Sequence, residues 1–65
     1  MKGMTIGWRE EPFRCEYCTE AVGGWLQVFR DEGLVAREPV ASVLIAYQRA
    51  REISQTLLWK EAKGA

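Results

Sequence analysis

One stretch of the sequence limits the fold more than any other, because from Val40 to about Lys63 it contains no glycine and no proline. Apolar residues recur in this stretch at the three- and four-residue spacing of a helix face. They are Val43, Ala46, Tyr47, Ala50, Ile53 and Leu57. Pro39 suits the first position of a helix, where no partner exists for a backbone N–H. The pattern therefore predicts a long C-terminal helix over about residues 39–62.

The segment before it has the same type of spacing. Thr19 can cap a helix, and Gly33 can end one in the left-handed conformation. Apolar residues lie between them at helical spacing: Val22, Trp25, Leu26 and Phe29. This predicts a short helix over about residues 19–32. Gly23 and Gly24 disfavour it, so either the helix starts after them or another group packs against their bare backbone.

The N-terminal part shows a weaker, strand-like alternation. Met4, Ile6 and Trp8 are separated by single small or polar residues, and residues 13–15 could form a second short strand. We expect a short N-terminal hairpin or extended arm that leads into a Cys-x-x-Cys turn. The predicted fold class is mainly α, in a single small domain of residues 1–65.

The size of the chain favours a partner. A domain of 65 residues buries only about 60% of its unfolded surface, so small domains commonly add a metal or a second chain. The long helix also carries more apolar surface than one short helix can cover. The additional positions are Leu44, Ile45, Leu58, Trp59 and Ala62. We therefore expect a homodimer.

The cysteine pair is the most concentrated chemistry in the sequence. Cys15 and Cys18 could supply two thiolates to zinc, which takes four ligands, and the chain has no histidine to add. A second copy of the chain would complete a four-cysteine site. Residues 13–18 resemble the first half of a zinc ribbon or zinc knuckle, and the sharing of pairs between chains resembles a zinc hook. The resemblance implies zinc as a cofactor, with Cys15 and Cys18 as its ligands.

Two other interpretations use the same cysteines. In a thiol–disulfide switch, Cys15 would attack and Cys18 would resolve, helped by a helix N-terminus that lowers the pKa of the first thiol. In the third interpretation both thiols are reduced and bind nothing.

Charge argues against a general nucleic-acid binder, since nine basic and nine acidic residues cancel. A small basic face remains a candidate, because Arg37, Arg49 and Arg51 could lie beside Tyr47 or Trp59 as a stacking platform. Residues 25–37 also resemble the end of a winged-helix recognition helix running into its wing. A small nucleic-acid-associated regulator is therefore an alternative function.

Catalysis is not expected, because the sequence has no histidine, no activated nucleophile and no glycine-rich phosphate motif. The favoured function is a non-enzymatic interaction or regulatory module. As a homodimer, it would present an aromatic surface of Trp8, Tyr47 and Trp59 to a protein partner. No signal peptide or membrane-spanning run is visible, so we expect a cytoplasmic location and no membrane contact.

Overall fold

Four consecutive strands form one antiparallel sheet, and a single helix packs across one of its faces. The computed structural model describes residues 3–64. Its elements are β1 (Thr5–Glu10), β2 (Phe13–Thr19), β3 (Gly24–Arg30), β4 (Gly33–Val40) and α1 (Val43–Gly64). The strands follow one another in the order β1-β2-β3-β4, so each is paired with its neighbour in sequence.

The prediction of a mainly α protein is wrong, and the error is largest at residues 19–32. That segment is the end of β2, a turn and β3 rather than a short helix. Leu26 and Val28 point into the core, while Trp25 and Phe29 lie on the opposite face of the strand. A spacing of four residues fits a helix face and also fits one side of a strand, so Trp25 and Phe29 satisfied both patterns.

The predicted Cys-x-x-Cys turn is also absent from residues 3–64. Cys15 and Cys18 both lie inside β2, where Cys15 pairs with Trp8 and Val28, and Cys18 pairs with Thr5 and Trp25. The hairpin at this end of the chain consists of β1 and β2, joined by a tight turn at Glu11 and Pro12.

The C-terminal helix begins at Val43, four residues later than the predicted start at Pro39. Residues up to Val40 belong to β4, because they pair with β3 as far as Gly24. Pro39 is tolerated there since β4 is an edge strand. Ser42 caps the helix: its side-chain oxygen accepts the Ile45 N–H at 3.3 Å, and its carbonyl accepts the Ala46 N–H at 3.0 Å.

The core lies between the inner face of the sheet and α1. Ala46 and Ala50 are fully buried, and their small side chains let the helix approach the strands closely. The strand side of the core is formed by Phe13, Cys15, Tyr17, Leu26, Val28 and Val40. Two ion pairs tie the helix to the sheet. Arg49 binds both carboxylate oxygens of Glu38 on β4, at 2.5 and 2.9 Å, and Arg30 on β3 pairs with Glu61.

Gly24 is required by close packing inside the sheet. A Cβ atom at this position would lie 2.7 Å from a ring carbon of Tyr17 and 2.8 Å from the carbonyl oxygen of Cys18. The neighbouring Gly23 has a φ of 72° and forms the turn between β2 and β3. The glycine pair that disfavoured a helix therefore has separate roles: Gly23 makes the turn, and Gly24 gives space to Tyr17.

We predict that Gly24→Ala lowers the free energy of unfolding by about 1–3 kcal/mol, because the methyl group overpacks the contact with Tyr17. Gly7→Ala is the matched control within the same sheet. Its added methyl would meet nothing closer than the Cys15 carbonyl oxygen at 3.8 Å, an ordinary contact. Urea unfolding followed by circular dichroism measures both variants, and equal midpoints for the two would contradict the packing role of Gly24.

Candidate interaction surfaces

The two cysteines of the predicted zinc half-site lie on opposite faces of β2. Side chains alternate along a strand, so residues three positions apart point in opposite directions, with Cα atoms about 10 Å apart. Cys15 is fully buried in the core, whereas Cys18 is half-buried on the outer face, 3.9 Å from Gln27 Oε1. One protomer therefore cannot offer both thiols to a single metal ion, and the predicted half-site is not formed. Residues 3–64 also contain no cluster of three or more metal-ligating side chains.

The redox interpretation meets the same obstacle, because a disulfide needs Cα atoms within about 7 Å. Burial raises the pKa of the Cys15 thiol to about 11, and the nearby charge of Glu10 adds to the rise. Cys15 is therefore protonated at neutral pH, which is the opposite of the activated attacking thiol that a switch requires.

The three predicted partner-binding aromatics do not form one surface. Trp8 and Tyr47 contact each other edge to face, with ring centroids 4.6 Å apart. The Nε1 atom of Trp8 is buried without a hydrogen-bond partner, so it is not available to a ligand in this conformation. Trp59 lies twelve residues after Tyr47 on α1, about 18 Å from it along the helix axis. Its side chain is 61% exposed.

The predicted basic face of Arg37, Arg49 and Arg51 is also dispersed. Arg37 lies on the outer face of the sheet, where its guanidinium lies over the Trp25 ring, 4.0 Å from the ring centroid. Arg49 is on the inner side, bound to Glu38 and Glu52. Arg51 is exposed on α1. The structure does not bring these three charges together.

One regular surface is the side of α1 that faces away from the sheet. Its residues follow alternating spacings of four and three, as in a helix-pairing seam. We call this set the helix stripe: Leu44, Gln48, Arg51, Gln55, Leu58 and Ala62. Leu44 is 69% exposed and Leu58 is 39% exposed, while Trp59 stands beside Leu58. Both ends of the stripe are therefore apolar, and its centre is polar.

The helix α1 is 22 residues long, which is the length of a membrane-spanning helix. No helix in the described part of the chain combines the length and the apolar character that crossing a membrane requires.

The second regular surface is the outer face of the sheet, on the side opposite α1. The strand pairing places one set of alternating side chains on this side, and we call it the open face. Apart from Gly7, its members are Thr5, Arg9, Arg14, Glu16, Cys18, Trp25, Gln27, Phe29, Leu34, Arg37 and Pro39.

Two aromatic rings on the open face are each covered by an arginine from a neighbouring strand. The Arg14 guanidinium lies 4.3 Å from the Phe29 ring centroid, and the Arg37 guanidinium lies 4.0 Å from that of Trp25. Trp25 also donates its Nε1 hydrogen to a Glu20 carboxylate oxygen at 3.1 Å. Such cation–π contacts at exposed sites contribute about 0.5–1 kcal/mol each.

The charges of the open face do not all balance locally. Arg9 pairs with Glu11 in the adjoining turn, and Arg14 pairs with Glu16 on the face itself. The pairing with Arg9 lowers the pKa of the Glu11 carboxyl group, so this carboxylate stays ionised. Arg37 has no carboxylate partner within residues 3–64 and contacts the Trp25 ring instead. It is the cation of this face that a ligand could reach without breaking an ion pair.

Sequence-based reasoning missed the open face because it assigned residues 25–29 to a helix. A detectable signal was present: polar or aromatic and aliphatic residues alternate strictly along Trp25, Leu26, Gln27, Val28 and Phe29. The two glycines directly before this run also favour a strand that follows a turn.

Comparisons with known proteins do not assign a relative: no protein-family model, no curated protein and no solved structure matches this chain.

We predict that only Cys18 reacts with a thiol reagent in the folded protein, because Cys15 is enclosed by the core and protonated. One thiol per chain should be modified quickly with 5,5′-dithiobis(2-nitrobenzoic acid), and the second only after unfolding in guanidinium. Cys18→Ser should abolish the fast phase. Equal rates for both cysteines, or a rate that a metal chelator increases, would contradict the opposite-face arrangement.

The raised pKa of Cys15 also predicts how stability depends on pH. The folded state holds the thiol proton more tightly than the unfolded chain, whose ordinary value is 9.0. The stabilisation is therefore fully present below about pH 9 and decreases as the pH rises toward 11. Urea unfolding of the wild type and of Cys15→Ala across this range measures the effect. The difference in free energy of unfolding between the two proteins should shrink with rising pH. A constant difference would contradict the raised pKa of Cys15.

Proposed function

We propose that this chain is a small non-enzymatic interaction module that acts as a homodimer joined through the helix stripe. The observation that carries the proposal is the exposure of Leu44, Leu58 and Trp59 on a helix whose opposite side packs against the sheet. Leu44 and Leu58 lie at seam positions of the stripe and Trp59 lies beside them, and exposed apolar side chains so placed are typical of surfaces that pair with another helix.

The order of residues along the stripe favours an antiparallel pair. In that orientation Leu44 meets Ala62 of the partner subunit, and Leu58 meets Gln48 of the partner subunit. Arg51 then faces a glutamine. A parallel pair would instead stack Arg51 on the partner's Arg51, and like charges in direct contact are unfavourable.

The polar centre of the stripe limits how tightly the chains associate. Gln48, Arg51 and Gln55 occupy seam positions where apolar residues would bury more surface. Polar residues at such positions specify orientation at a cost in stability. We therefore expect a dimer that dissociates on dilution.

A non-enzymatic role is supported by the state of the charged groups. The chain has no histidine, and three of its carboxylates, those of Glu11, Glu16 and Glu38, are bound to arginines. Arg49 lowers the pKa of the Glu38 carboxyl group, chiefly through their hydrogen bonds. General acid–base catalysis near neutral pH needs a carboxyl group whose pKa is raised toward 7, not lowered.

Trp59 is the predicted partner-binding aromatic that this interface would use, because it stands beside Leu58 and is largely exposed. Trp8 and Tyr47 pack against each other, so we assign them to the support of the fold rather than to the interface.

Sedimentation velocity of the full chain at increasing concentration tests the proposal. The wild type should shift from one to two chains as the concentration rises, and Leu44→Glu should remain a single chain. Val22→Glu is the matched control, since Val22 is 91% exposed in the turn between β2 and β3 and far from the stripe in sequence. It adds the same charge and should dimerise like the wild type.

Two results would refute the proposal. One is a wild type that stays monomeric at high micromolar concentration. The other is a dimer that survives both Leu44→Glu and Leu58→Glu while circular dichroism shows that each variant is folded.

A further inference from the structure

We propose that the open face of the sheet binds single-stranded nucleic acid, with bases stacking at the two arginine–aromatic pairs. This inference concerns the side of the molecule opposite the helix stripe and does not depend on dimer formation. It rests on four features of the open face: flat stacking sites, their spacing, a central amide and an arginine without an ion-pair partner.

The stacking sites already hold flat cationic groups. The guanidinium carbons of Arg14 and Arg37 lie over the Phe29 and Trp25 rings, 4.3 and 4.0 Å from the ring centroids. An unpaired base can stack on the outward side of a guanidinium as well as on an aromatic ring. The arrangement therefore allows a ring–guanidinium–base sandwich in which neither arginine has to move away.

The spacing suits a ligand with repeated flat groups. Trp25 and Phe29 are four residues apart on β3, which corresponds to about 13 Å along the strand. Gln27 lies midway on the same face, and its amide offers two donors and one acceptor. A base between the two stacked ones could be contacted at its edge by this amide.

The charges of the open face and its borders nearly balance, so an anionic ligand would depend mainly on Arg37. Arg37 has no carboxylate partner in residues 3–64, and Arg9 and Arg14 add two cations to the same face. Glu16 lies among them, and Glu11 and Glu20 lie at the borders of the face. These carboxylates repel phosphates, so the salt dependence should be shallow. A slope of about −2 in log K against log salt corresponds to contact with roughly three phosphates of a single strand.

The same features disfavour the other anionic polymers. Bases of a duplex are stacked inside the helix and cannot reach a flat sheet surface. An acidic peptide could bind the arginines, but it has no planar groups for the two stacking sites. Single-stranded nucleic acid uses both the rings and the charges.

The three tryptophans provide an internal control for locating the site. Trp25 is on the open face, Trp8 packs against Tyr47, and Trp59 is on α1. In a ¹H–¹⁵N NMR titration of the full chain with an oligothymidine of about 12 nucleotides, within the usual site size, the Trp25 indole and Gln27 amide signals should shift. The Trp8 and Trp59 indole signals should stay in place. No shift at millimolar oligonucleotide, or a shift of Trp59 alone, would overturn the proposal.

Variants then test the chemistry by fluorescence anisotropy with a labelled oligonucleotide. Arg37→Gln and Trp25→Ala should each weaken binding about 5- to 150-fold, the range for losing one stacked base. Lys60→Gln is the matched control: it removes an exposed cation from α1 and should bind like the wild type. If Trp25→Ala is unfolded by circular dichroism, Phe29→Leu replaces it.

Glu16→Gln gives a test in the opposite direction. It removes a carboxylate from the open face and releases Arg14, so binding should become several-fold tighter. A purely structural role of Glu16 would leave affinity unchanged or reduce it, and either result would count against the proposal.

Competing ligands complete the test. Single-stranded DNA and RNA of the same sequence share the required chemistry. A higher affinity for one of them identifies which nucleic acid the open face prefers. The annealed duplex should compete at least ten-fold less well. Polyglutamate that competes as well as the oligonucleotide would overturn the proposal in favour of an acidic protein partner.

Discussion

The fold depends on one helix covering one face of a four-stranded sheet. Ala46 and Ala50 let α1 approach closely enough to bury Leu26 and Val28 completely. With a single helix available, the other face of the sheet stays in contact with solvent, as is common for antiparallel sheets. This constraint explains why the inner side chains of β3 are aliphatic while Trp25 and Phe29, on its outer side, are shielded by arginines from β2 and β4.

The sequence indicated only part of this arrangement, for reasons that specific residues make clear. A helix in the C-terminal region was predictable, because no glycine or proline interrupts residues 40–63 and the apolar spacing is sustained. Its start was misplaced because Pro39 fits both a helix N-terminus and an edge strand, and pairing of β4 with β3 decided between them. Ser42, two residues beyond that pairing, is the cap that was overlooked.

The predicted Cys-x-x-Cys turn was wrong because of the same ambiguity. Cys-x-x-Cys spacing brings two thiols together only when the backbone turns, and in β2 it sends them to opposite faces. The alternation of apolar residues around the pair, with Phe13, Cys15 and Tyr17 all buried, was the signal for a strand. Sequence motifs of this length specify chemistry only in combination with the right local structure.

The two proposed surfaces can work at the same time because they lie on opposite sides of the molecule. Antiparallel pairing through the helix stripe would place the two sheets on the outside of the dimer. Both open faces would then stay accessible and point away from the dimer interface. A short oligonucleotide would then meet two separate, equal sites. A strand long enough to pass around the pair would bind both faces, and the second contact would form at the high effective concentration set by the first. Weak binding at each face, expected from the nearly balanced charges around Arg14 and Arg37, would in this way become selective for long single strands.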